Sequence, residues 1–158
     1  MKKTNNKGFS LVELIIVIAI MAILIGVLAP QYIKYVEKSR ISSDKDMVDS
    51  LTKAVQTACT DEDYYDQLTG EGKETVVISK GAGIVTSGTA LQQAIQEFYG
   101  APNGTDSNKK FKSKAFADAT VTITVKKVEN PTTKAVSLQA EVTDNKGAAD
   151  SYDPADYK

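Results

Sequence analysis

One carboxylate, Glu13, stands in the octet Lys7-Gly8-Phe9-Ser10-Leu11-Val12-Glu13-Leu14, directly ahead of an uncharged run from Leu14 to Pro30. A charged side chain within an apolar membrane helix costs roughly 2.5–3.5 kcal/mol on insertion scales, so it needs a partner or a function. The chemistry open to it is ion pairing. In a helix bundle without water, an unpaired carboxylate is costly, whereas a paired one sets register. Other reactive side chains are sparse. Histidine is absent, which removes the commonest acid–base group and metal ligand near neutral pH. The single cysteine, Cys59, falls on an apolar helical stripe and reads as a buried structural thiol. Asp144, Asp150, Asp153 and Asp156 carry oxygens that suit calcium. Their spacing fits no EF-hand loop, so a solvated acidic tail is the favoured reading and no metal or other cofactor is expected. No phosphate loop, histidine–carboxylate metal motif or nucleophile–base pair is present, so the chain is not expected to be an enzyme.

The elements that position Glu13 follow from composition. Lys2, Lys3 and Lys7 make residues 1–8 a basic leader without an acid. Without the leader, 16 basic side chains face 20 acidic ones, and a mildly acidic body lacks the basic stripe of a nucleic-acid binder. The chain of 158 residues suits one membrane element and one modest domain. That domain would hold on the order of 100–120 residues, enough for a single small core. With one cysteine it closes no disulfide within the chain.

From Phe9 to Ala29 the chain is helical in propensity and apolar all round. Leu11 to Ala29 gives about 28 Å of helix, just enough to cross a hydrocarbon core. Beyond Pro30 the helix continues with mixed polarity. Ile41, Val48, Leu51, Val55, Ala58 and Cys59 recur at helical spacings, and Asp44, Lys45, Asp49 and Lys53 are assigned off that face. One helix is expected from about Phe9 to Thr60. Within it Pro30 removes the bond to the carbonyl of Gly26, the weakest helix former in the segment, and this marks a weak point able to bend or unwind.

The rest reads as a small head. Asp61-Glu62-Asp63 opens a polar connection; Thr75–Ser79 is a short strand followed by Gly81-Ala82-Gly83. A second helix starts after Ser87 or Thr89 and ends at Gly100, and residues 100–110 form an exposed loop. Val121, Ile123 and Val125, then Val136, Leu138, Ala140 and Val142, alternate with polar residues as half-buried strands. Asn130-Pro131-Thr132-Thr133 joins them as an antiparallel hairpin. The expected fold class is α+β: a long N-terminal helix on a small antiparallel sheet. The expected domains are a leader (1–8), a hydrophobic helix (9–40) and a head (41–158).

The octet around Gly8 and Phe9 resembles the class III signal of type IV prepilins and the related pseudopilins. Pro30, Tyr32 and Tyr35 also fall where many type IV pilins carry a proline and two tyrosines. The resemblance covers residues 1 to about 40; over the rest only the architecture is similar. It implies cleavage between Gly8 and Phe9 by a membrane prepilin peptidase and N-methylation of Phe9. It also implies storage in the cytoplasmic membrane and polymerisation, with minor pilins, into a surface filament. A platform protein and an assembly ATPase would drive extraction. The new ammonium at Phe9 would lie one helical turn from Glu13, within a chain or between staggered neighbours. The chain lacks the paired C-terminal cysteines of many pilins and is similar to the cysteine-poor pilins of Gram-positive bacteria.

A secretion or competence pseudopilin is the alternative that the leader does not separate. An ordinary secretory signal would be cleaved near Val27-Leu28-Ala29, but Pro30 is a poor following residue and Glu13 interrupts its apolar segment. An uncleaved anchor would keep Met1, with Glu13 snorkelling to the interface.

Overall fold

The computed structural model describes residues 8–68 and 74–145. Its elements, in chain order, are helix α1 (Leu11–Thr60), helix α2 (Glu62–Leu68), strands β1 (Thr75–Ser79) and β2 (Gly83–Ser87), helix α3 (Thr89–Phe98), and strands β3 (Thr120–Glu129) and β4 (Val136–Asp144). The chain divides into two compact units, Met1–Lys38 and Ser39–Lys158. α1 begins in the first and ends in the second.

In the first unit the described structure beyond Ser10 is helix alone. Every large apolar side chain from Phe9 to Tyr35 is exposed, Ile15 at 50% and Ile23 at 68% among them. The segment is long and apolar enough to cross a membrane. At about 25 cal/mol per Å² of apolar surface, water is the wrong solvent for it.

The second unit is α+β. Its sheet has the order β2-β1-β3-β4, antiparallel throughout. Alternation places Val76, Ile78, Val121, Ile123 and Val125 on one buried face. Val48, Leu51, Val55, Ala58 and Cys59 of α1 join Leu91, Ala94 and Ile95 of α3 in the same core. The tight turn at Asn130 is closed by Lys134 N–H donating to the Asn130 carbonyl, 2.9 Å, and the expected hairpin is present.

Three details differ from the sequence expectation, and two add to it. Gly83–Ser87 is a strand, not merely a glycine-punctuated connection, because it pairs residue for residue with β1. Glu62–Leu68 is a short helix, with Leu68 buried beneath it. Asp44 is not on a solvated face: it is 2% exposed. Its carboxylate accepts the backbone N–H groups of Lys112 at 3.0 Å and Ser113 at 2.8 Å, which offset its desolvation. Residues 100–110 form the expected, mostly exposed loop, and it is pinned to the core. Ile84 and Asp106 exchange backbone hydrogen bonds at 3.0 Å, and Ala101 and Gly104 are buried. Phe111 and Phe116, from a lysine-rich stretch, are fully buried with ring centroids 4.8 Å apart.

Candidate processing and assembly site

Helix α1 starts where it does for a local reason. The first amides of any helix lack intrahelical acceptors. Ser10 sits at the N-cap, its Oγ accepting Val12 N–H at 3.4 Å and its carbonyl accepting Leu14 N–H at 3.2 Å. Glu13, three residues on, reaches back so that Ser10 N–H donates to its Oε2 at 2.9 Å. The pair forms a variant of the capping box in which the serine reaches the N2 amide rather than N3. The Ser-x-x-Glu spacing is its sequence signature and is legible in the octet alone.

The box has two consequences. Gly8, Phe9 and Ser10 stay outside the helix, so the Gly8–Phe9 peptide bond lies in exposed, non-helical backbone, with Phe9 88% exposed. Glu13 already has one hydrogen bond inside its own chain, and its carboxylate forms no ion pair among the described residues. Gly8 and Phe9 precede the helix, and Glu13 lies in its first turn.

α1 runs through Gly26 and Pro30 without a break in the helix. Proline has no N–H, so the Gly26 carbonyl lacks its usual i+4 donor there. No atom outside the local helix approaches within 4 Å of where a Gly26 Cβ would stand.

No other chemical centre competes with this one among the described residues. Cys59 is free and buried, and burial pushes its thiol pKa up, away from reactivity. No group of three or more potential metal-ligating side chains occurs among the described residues. Asp144 lies at the end of β4, opposite Val121, while Asp150, Asp153 and Asp156 lie outside the described residues. Tyr64 O–H donates to Glu97 at 2.6 Å, and that bond raises its pKa to about 12.

The geometry therefore isolates one constellation: an exposed peptide bond, a capped helix start carrying a carboxylate, and a bare apolar helix behind them. A family model described as the prokaryotic N-terminal methylation motif matches residues 3–29, which contain all of it. The amino-terminal segment is similar to that of type IV pilins. Pilin relatives extend the likeness a little further. The Type IV major fimbrial protein FimA of Dichelobacter nodosus is 37% identical over 59 residues, covering 37% of this chain and 38% of FimA. The Type IV major pilin protein PilA of Myxococcus xanthus is 35% identical over 67 residues, covering 42% of this chain and 30% of PilA. A fimbrial protein of Moraxella nonliquefaciens is 34% identical over 84 residues, covering 46% of this chain and 54% of that protein. The chain thus spans well under two thirds of the length of these relatives. No solved structure matches it significantly. The α+β unit, a helix packed on a four-stranded antiparallel sheet, is consistent with the pilin fold.

Proposed function

We propose that the chain is the structural subunit of a type IV pilus-like surface filament, and that it works by polymerising rather than by catalysis. The observation that carries this reading is the bare apolar half of α1 with Glu13 in its first turn, lying within the N-terminal methylation motif.

In this scheme the precursor rests in the cytoplasmic membrane, with lipid covering the helix from Leu11 to Ala29. A prepilin peptidase cleaves between Gly8 and Phe9, where the backbone is exposed and outside the helix. Phe9, the new terminus, is N-methylated and keeps a positive charge. Protomers then exchange lipid for one another's helices, and the Phe9 ammonium of one meets Glu13 of another. Each apolar face left unpaired by its own chain is covered by a neighbour, and the carboxylate fixes the register of the stack. Gly26 and Pro30 supply a segment that can yield as the helix moves from bilayer to fibre. An assembly ATPase acting through a membrane platform protein performs the extraction, and minor pilins share the fibre. Adhesion and motility follow from a surface location. The relatives are named as major pilins and fimbrial proteins, which favours a pilus subunit over a secretion or competence pseudopilin.

The test is the working form of the protein. Mass spectrometry of material sheared from the cell surface should find a chain that begins at N-methylated Phe9, in fibres visible by negative stain. A chain that still begins at Met1, with no fibre that depends on its gene, would overturn the proposal.

A further inference from the structure

Within the head, α1 and the segment from Tyr99 to Lys112 enclose an open groove of about 340 Å³. Lys109, Lys110 and Lys112 line it from one side. Tyr99 stands half-buried in its wall, with the Lys109 ammonium 5.8 Å from the ring centroid. None of these three ammonium groups forms an ion pair among the described residues. Three like charges within four positions repel one another, and a loose loop would let them separate. This segment cannot relax in that way. Asp44, buried on α1, holds the N–H groups of Lys112 and Ser113, and Asp106 is bridged to Ile84 while its side chain accepts Asn108 N–H at 2.8 Å. Both ends of the lysine run are therefore anchored, and the charge is held ready for an anion.

The opposite wall narrows the ligand class. Ser43, Asp46 and Ser50 of α1 line the groove with short hydroxyls and an exposed carboxylate. An acidic side chain facing the lysines disfavours a phosphodiester backbone, which presents negative charge continuously. It suits a ligand that carries hydroxyl donors as well as an anionic group. An aromatic edge beside mixed donors and acceptors in a space of this size matches one or two sugar rings. We propose that the groove binds an anionic saccharide, a pyranose bearing carboxylate or sulfate, with the lysines on the acid group and the α1 residues on the ring hydroxyls. This site uses no residue of the assembly segment, so it can be tested without filament formation.

The test uses the full chain in detergent micelles, with calorimetric titration of tetragalacturonate, a heparin tetrasaccharide and neutral maltotetraose. Saturable binding is expected for the uronate or the sulfated probe, and which of the two binds tells carboxylate from sulfate recognition. The triple variant Lys109→Gln, Lys110→Gln, Lys112→Gln should bind about tenfold more weakly, as the loss of three exposed charge contacts would give. The control triple variant Lys126→Gln, Lys127→Gln, Lys134→Gln, on the β3–β4 hairpin, should bind like the wild type. The proposal is overturned by any of four results: no saturable binding of either anionic probe, equal binding of maltotetraose, equal losses in the two triple variants, or tighter binding of a DNA duplex than of both anionic sugars.

Discussion

The Glu13 carboxylate holds the backbone N–H of Ser10 at 2.9 Å, so the residue has a structural task before any neighbour arrives. On the proposed reading, capping and pairing are superimposed on one side chain, and substitution separates them. Glu13→Gln keeps a side-chain acceptor for Ser10 and removes the charge; Glu13→Ala removes both, at a capping cost of about 1 kcal/mol. Both variants are expected to be cleaved largely as the wild type and to yield few or no fibres. Mass spectrometry of the membrane fraction and the yield of sheared fibres check this. Normal fibres from Glu13→Gln would leave capping as the residue's only role.

Asp44 should be the most sensitive polar position of the head. It is buried, and it accepts backbone N–H groups from residues nearly seventy positions away. Asp44→Ala leaves those two amides without their acceptor, so a loss of about 2–4 kcal/mol is expected. Thermal unfolding of the head, followed in the detergent-solubilised full chain, should begin many degrees lower. Asp46→Ala, two residues along α1 and exposed, should change little.

Two glycines with positive φ should respond unequally to a methyl group. Gly100 (φ 82°) ends α3, its N–H donating to the Ile95 and Gln96 carbonyls, and nothing lies within 4 Å of an added Cβ. Gly100→Ala should therefore cost only the left-handed penalty of about 1–2 kcal/mol. At Gly104 (φ 67°) the added Cβ would lie 2.6 Å from Gln92 Cα, a backbone atom of α3. Gly104→Ala should cost more than Gly100→Ala, and it should also disturb the Thr86 hydroxyl that donates to the Gly104 carbonyl. The two thermal midpoints, compared side by side, decide the order.

Tyr64 links α2 to α3 through its 2.6 Å hydrogen bond to Glu97 and should make stability fall at high pH. Hydrogen bonding to Glu97 is the leading reason that its pKa rises from 10.0 to about 12. A folded pKa above the unfolded value means that the contribution is fully present below pH 10 and is lost as pH climbs through 12. Because Tyr64 is only partly buried at the edge of the core, solvent screening keeps the effect modest. Ultraviolet titration of tyrosinate should show one late-titrating ring that moves toward its ordinary range in Glu97→Gln. An unchanged titration curve would remove the coupling.

Much of this fold was legible because long stretches obey a single period. The apolar run and the Val48–Leu51–Val55–Ala58 stripe define α1, and the valine–threonine alternation defines β3. What escaped depended on partners. β2 is five residues beginning with glycine, too short to show its own period, and it exists through pairing with β1. Phe111 and Phe116 sit in a lysine-rich stretch that shows neither helical nor strand period, and only the tertiary core recruits them. Asp44 was readable after all. It lies four residues before Val48 and seven before Leu51, on the apolar stripe itself, and a charge at such a position announces a buried acceptor. The same holds for Ser10 and Glu13, whose spacing spells the cap that starts the helix.

The bare flank of α1 also constrains the supply of subunits. On the filament reading, a protomer whose helix is intolerant of water cannot reach a distant tip by diffusing through the medium. Delivery is confined to two dimensions, by lateral drift within the bilayer, and a fibre can lengthen or shorten only at the end rooted there. Growth rate would then scale with the areal density of precursor in the membrane and be indifferent to soluble protein outside.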